Sequence, residues 1–176
     1  MRKSVLQKML LTALFTALTA AGSIVRIGDF SLQNVFAIIS GILLGPIWGP
    51  ASQLLYVFMG LLGLPMFING GGLLYVMEPT FGFLLGMILG SFVAGILTEK
   101  TQWNLSIIAL LAFWSVYFIG MPWYHFYFRR LVAEGVLLST LTRGIVYYIA
   151  YDIPKLVIVV PLGRKLLPVL RKDLYV

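Results

Sequence analysis

Apolar residues run almost unbroken along the chain, and polar positions are confined to short breaks between the runs. Ser4 to Val25 is the first run, behind a basic start. It is longer than the roughly 7 to 15 residues of a signal-peptide core and is read as a first membrane span. Arg26 to Phe30 makes a short polar turn. Leu32 to Leu44 is apolar but short for a straight span, and Gly45-Pro46 and Gly49-Pro50 bracket a tight connection to a further helix, Pro50 to Leu64. Phe81 to Leu97 and Leu105 to Met121 follow, separated by the hydrophilic break Thr98 to Asn104 and ended by Pro122. Leu131 to Tyr151 is interrupted by Glu134, Thr142, Arg143 and Gly144, which predicts a helix or helix pair near the outer face. Asp152 to Leu170 supplies about 28 Å of helix, enough to return across a bilayer. The pattern predicts an all-α membrane protein of six transmembrane helices in a single domain, residues 1–176.

One irregular stretch interrupts this regularity. In Phe67 to Phe83, F-I-N-G-G-G-L-L-Y-V-M-E-P-T-F-G-F, three glycines free the backbone for positive φ, Pro79 stops regular structure, and Thr80 can cap the helix that follows. In lipid an open backbone must be buried in protein or line a cavity. The segment is therefore expected to be the lid of a small-molecule pocket.

Composition supports the membrane reading. Of 176 residues, 60% are hydrophobic and 11% charged, and mean hydropathy is +0.97. The net charge of +7 does not mark a nucleic-acid partner, because the cations sit at the edges of apolar runs. Arg2, Lys3, Lys8, Lys100, Arg164, Lys165, Arg171 and Lys172 fall on one side of a six-span topology, leaving Arg26, Arg129, Arg130, Arg143 and Lys155 for the other. That excess places both termini in the cytoplasm. With no cysteine, thiolate metal sites and cysteine nucleophiles are excluded.

Candidate chemistry is sparse. Asp152 and Lys155 are three residues apart on one helix face, at the edge of a very apolar stretch. Either they form an N-cap aspartate with an internal ion pair, or they are a donor and acceptor couple for a polar headgroup; the two readings coexist if the pair can open. His125, among aromatics and cations, is read as interfacial rather than as a ligand. No phosphate-binding loop, no H-E-x-x-H and no second histidine occur, so neither enzyme activity, a metal nor a cofactor is expected. Any uphill transport needs ATP used by another subunit. Ala13, Ala17 and Ala21, and likewise Gly82, Gly86 and Gly90, form smooth stripes that let another helix approach. For the alanines, packing inside the chain and docking of a partner subunit both remain open.

Taken in order, L-T-A-L-F-T-A-L-T-A-A-G at 11–22, S-L-Q at 31–33, G-I-L-L-G-P at 41–46, G-L-L-G-L-P at 60–65, the glycine run, P-T-F-G-F-L-L-G at 79–86 and D-I-P-K at 152–155 resemble the BioY family, the biotin-binding substrate components of energy-coupling factor (ECF) transporters. The resemblance implies an S-component-like bundle in the cell membrane that captures biotin near the outer face. It also implies a membrane scaffold (T) subunit and two ATPase subunits as partners, with Ala13 and Ala17 meeting the scaffold. The biotin site it implies has Asp152 accepting from and Lys155 donating to the ureido ring, and Phe83 and the tyrosines around 147–151 as an apolar wall. Asn69, Gly71, Thr80 and Gln33 reach remaining polar atoms, and Arg143 meets the carboxylate. Glu78, Phe81, Phe83 and Tyr151 depart from the family's usual residues, so another vitamin is an alternative cargo, and a non-transporting membrane scaffold is a rival of a different class.

Overall fold

The computed structural model describes residues 2–27, 30–128 and 134–175, without the side chains of 1–4, 26–30, 128–149 and 171–176. Five helices account for nearly all of it: α1 Arg2–Ile24, α2 Gln33–Leu61, α3 Phe81–Lys100, α4 Leu105–Phe128 and α5 Glu134–Tyr175. Between α1 and α2, β1 Arg26–Ile27 pairs antiparallel with β2 Phe30–Ser31, and a 3-10 turn, Leu73–Met77, lies between α2 and α3. Among the described residues, four helices are long and apolar enough to cross a membrane: Val5–Ile24, Gln33–Leu61, Phe81–Lys100 and Leu105–Tyr127.

Helix α2 folds back on itself. Gly45 breaks it with φ 78° and ψ −174°, a conformation essentially confined to glycine, and Pro46 opens the second half at a position where its missing N–H is no loss. Gln33 Nε2 then donates to Tyr56 Oη at 3.1 Å, and Ser40 Oγ reaches the Gly49 carbonyl at 3.4 Å, so the halves run antiparallel. The expected tight connection is present, but the helix resumes at Pro46 rather than at Pro50. A second difference concerns α5, which continues through the junction expected between Tyr151 and Asp152. Asp152 is therefore inside a helix and is not an N-cap. Pro154, Pro161 and Pro168 all lie within α5.

The two small-residue stripes have opposite fates. A Cβ added at Gly82 or Gly86 would strike Trp123 or the Val116 carbonyl, so the glycines of α3 seat α4 against it. Ala13, Ala17 and Ala21 face outward. On the inward face of α1, the buried amide of Gln53 ties the bundle together. Its Nε2 lies 3.2 Å from Thr19 Oγ1, 3.2 Å from Ser40 Oγ and 2.9 Å from Ser52 Oγ. Thr19, Ser40 and Ser52 each donate to a carbonyl of their own helix, which leaves three oxygens to share the two N–H donors of the amide.

The bundle has two distinct ends. Gly95 packs on the Gly45–Pro46 turn, and Arg164 Nη2 donates to Asn104 Oδ1 at 3.5 Å. The hairpin turn, the end of α3 with Lys100, the start of α4 and Arg164 thus gather at one end. The starts of α2 and α3 and the end of α4 gather at the other. Because Gly45 holds a backbone conformation costly for any L side chain, Gly45→Ala is expected to destabilise the protein by about 1–3 kcal/mol. Thermal unfolding in detergent, with Gly163→Ala on α5 as a second glycine substitution for comparison, measures the loss.

Candidate functional site

The glycine-rich segment closes the second end. Phe67 N–H donates to the Gly70 carbonyl at 2.8 Å and Gly70 N–H returns the bond at 3.0 Å, making a tight turn with Ile68 and Asn69 at its tip. Gly70 and Gly72 take φ near 105°, and Gly72 N–H bonds the Gly60 carbonyl at 2.8 Å. The Phe67 ring packs edge-on to Tyr56, at 5.4 Å, and tilted against Tyr75, at 4.5 Å, which ties the segment to α2. Gly71 rests against the Leu64 and Gly60 carbonyls and leaves no room for a side chain. Thr80 occupies the position before α3 but makes no capping bond. Its hydroxyl instead lies 3.5 Å from that of Tyr75. Burial first, then the nearby Glu78 charge, push the Tyr75 phenol above its ordinary range, so it keeps its proton.

Beneath this lid is a cavity of about 290 Å³. Gln33, Asn34, Asn69, Thr80 and Lys155 bring polar groups to its wall, and Tyr75, Tyr117, Tyr124 and Tyr151 add aromatic ones. Phe83, Ile68, Leu84 and Met87 make the apolar side. The volume is at the small end of the roughly 300–1,000 Å³ typical of ligand clefts. The mixture of apolar wall and a few convergent polar groups is what such sites require.

The charged couple stands on the α5 side. Lys155 Nζ donates to Asp152 Oδ1 at 2.8 Å, and Tyr117 Oη donates to Asp152 Oδ2 at 2.6 Å. Asp152 is fully buried and Lys155 is 4% exposed. The ammonium also lies 5.5 Å from the centre of the Phe113 ring. Lys155 reaches the cavity wall, whereas Asp152 lies behind it, with each carboxylate oxygen accepting one of these bonds. The arrangement presents a fixed cationic donor to the cavity.

Of the residues singled out in the sequence, Gln33, Asn69, Thr80, Phe83 and Lys155 share the cavity wall, Asp152 backs Lys155, and Gly71 belongs to the footing of the lid. The side chains of Arg143, Tyr147 and Tyr148 lie outside the described residues. Glu78 is not among the lining residues; its carbonyl accepts from Trp123 Nε1 at 3.3 Å. Sequence reasoning passed over Tyr117 and Tyr124. Their spacing of seven puts them on one face of an otherwise apolar helix, the signal that would have found them. Phe83 packs edge-on to both, 6.1 Å and 6.4 Å away. These neighbours set hydroxyl-bearing rings beside Phe83.

Bundle and cavity together define a multi-pass membrane protein with one small cavity of mixed polar and apolar lining at one end. The chain belongs to the BioY family, whose model matches residues 1–172. It is 30% identical over 169 residues to a biotin transporter BioY of Thermotoga maritima, covering 92% of this chain and 96% of that one. It is 35% identical over 118 residues to a probable biotin transporter BioY of Pyrococcus horikoshii, covering 64% and 71% of the two chains. A 43% match over 98 residues to a probable biotin transporter BioY of Lysinibacillus sphaericus spans half of that protein's length. The crystal structure of the S-component for biotin from an ECF-type ABC transporter superposes with a TM-score of 0.75 at 24% identity, covering 93% of this chain and 94% of that one. That likeness establishes the fold.

Truncating one member of a buried ion pair strands the other. Asp152→Ala is expected to cost about 3–5 kcal/mol, while the apolar replacement of both, Asp152→Leu with Lys155→Met, costs much less. Chemical denaturation of the purified variants in mild detergent gives the comparison.

Proposed function

We propose that this protein is the biotin-binding substrate component of an ECF transporter, a single membrane domain of residues 1–176 that captures biotin for uptake driven by partner ATPase subunits. The observation that carries the reading is Lys155, held at the cavity wall by Asp152 and Tyr117. A ureido carbonyl is a strong acceptor and suits a desolvated ammonium; its N–H groups suit the side-chain oxygens of Asn69, Gln33 and Thr80. Direct acceptance by Asp152 requires the Lys155 ammonium to move aside, so in the closed state Asp152 acts by positioning Lys155. The thioether ring and valeryl chain fit the Phe83, Leu84 and Met87 wall. Arg143, earlier on α5, is our choice for the cation that meets the carboxylate.

Charge supports the orientation. Counting α2 as two antiparallel crossings gives six helical rods. The cavity end is opposite the end that carries Lys100 and Arg164. By the positive-inside rule the cation-rich end is cytoplasmic, both termini with it, and the cavity opens outward in the cell membrane. The outward-facing Ala13 and Ala17 argue against internal packing of that stripe and suit a close helix contact with the scaffold subunit.

Titration calorimetry with biotin tests the site. One-to-one binding is expected, weakened roughly 10- to 150-fold by Lys155→Met and roughly 2- to 10-fold by Asn69→Ala or Gln33→Ala, from about 1.5–3 and 0.5–1.5 kcal/mol per bond lost. Retention of a different vitamin with no affinity for biotin would replace the cargo in this reading, and absence of any ligand would favour a scaffold. Ala13→Trp with Ala17→Trp should leave biotin binding intact and abolish co-purification with the scaffold and ATPases. Loss of biotin binding in that variant would return the stripe to internal packing.

A further inference from the structure

The lid is polar inside and apolar outside. Tyr75 is buried and its hydroxyl meets Thr80, while on the outer surface of the same short turn Leu73 is 75%, Leu74 84% and Met77 63% exposed. A loop standing in water would reverse this arrangement. The base of the turn is also joined to α2, a helix long and apolar enough to cross a membrane, with an exposed apolar stripe. Leu54, Phe58 and Leu62 repeat every fourth residue and are all exposed, and the Gly72 N–H to Gly60 carbonyl bond fastens the base of the turn to that last stretch of helix. Exposed apolar surface joined to a membrane-facing helix is what an interfacial anchor presents. The depth is bounded as well. Irregular backbone is not tolerated bare in the hydrocarbon core, and polar Glu78 and Asn69 flank the turn, so it belongs at the boundary between headgroups and acyl chains.

We infer that Leu73, Leu74 and Met77 seat the lid in the lipid leaflet at the cavity end, so that the outer wall of the site is a membrane surface rather than water. The lid is then held from two sides, by the Tyr56, Phe67 and Tyr75 rings within and by lipid without. Lid opening must drag apolar surface through the interface. This holds whichever ligand the cavity takes.

The absence of cysteine makes the test direct. Leu74→Cys and Met77→Cys each carry an environment-sensitive nitrobenzoxadiazole label in the full chain, reconstituted in phosphatidylcholine and phosphatidylglycerol vesicles. Phe58→Cys serves as the lipid standard and Gln102→Cys, exposed in the hydrophilic break, as the water standard. Labels at 74 and 77 are expected to emit toward the blue, to resist aqueous iodide, and to be quenched more by a nitroxide near the headgroup end of the acyl chain than by one near its methyl end. Emission and iodide quenching matching the label at 102 would overturn the inference. So would protection from both iodide and lipid nitroxides, which would mean that a second copy or another protein covers the lid. Because both positions are exposed, labelling leaves the packing untouched, and an unchanged melting temperature checks this.

Discussion

An aspartate and a lysine buried in one helix of this apolar bundle stand as a pair. At such depth an isolated ion costs several kcal/mol, and attraction repays it only when geometry is good and the remaining lone pairs are satisfied. Both conditions are met here: the ammonium takes one carboxylate oxygen and the Tyr117 hydroxyl, from a different helix, takes the other. The pair thereby links α4 to α5. It also fixes where the ammonium stands, and so gives the cavity its one cationic donor among the described residues.

The rest of the site follows from the need to satisfy backbone groups away from water. A loop between two membrane helices has peptide groups to spare, and this one places them by glycine. Positive φ at Gly70 and Gly72 lets the chain turn tightly enough for Phe67 and Gly70 to exchange both bonds and for Gly72 to bond the end of α2. The first turn puts Asn69 at the cavity wall, and the 3-10 turn after it leaves Leu74 exposed. Asn69 and Thr80 line the cavity, while Leu73, Leu74 and Met77 stand exposed on the other side of the segment.

Spacing alone did not decide what the small-residue stripes do. The glycines of α3 and the alanines of α1 recur with the same period, yet one stripe is sealed under α4 and the other faces outward. A stripe licenses close approach and leaves the partner open. Here α4 is joined to α3 by a short link and takes the glycine face, while α1 turns threonines and a serine inward to bond Ser52, Gln53 and Met66. The alanines are left on the outside by that choice.

The sequence by itself determined the membrane class, the hairpin between Gly45 and Pro50, the glycine lid and the Asp152 and Lys155 face, because each is written in local chemistry: run length, φ preference or spacing along one helix. It misread the start of the last helix, since a proline two residues after an acidic one looks like a helix beginning, and only packing carries α5 through it. The meeting of Gln33, Asn69, Thr80, Phe83 and Lys155 around one space, with Tyr117 behind Asp152 and the carboxylate withdrawn from the wall, was decided by tertiary structure. Spacing relates a residue to its own helix axis. Which face turns inward, and what it meets, depends on how five helices share one interior.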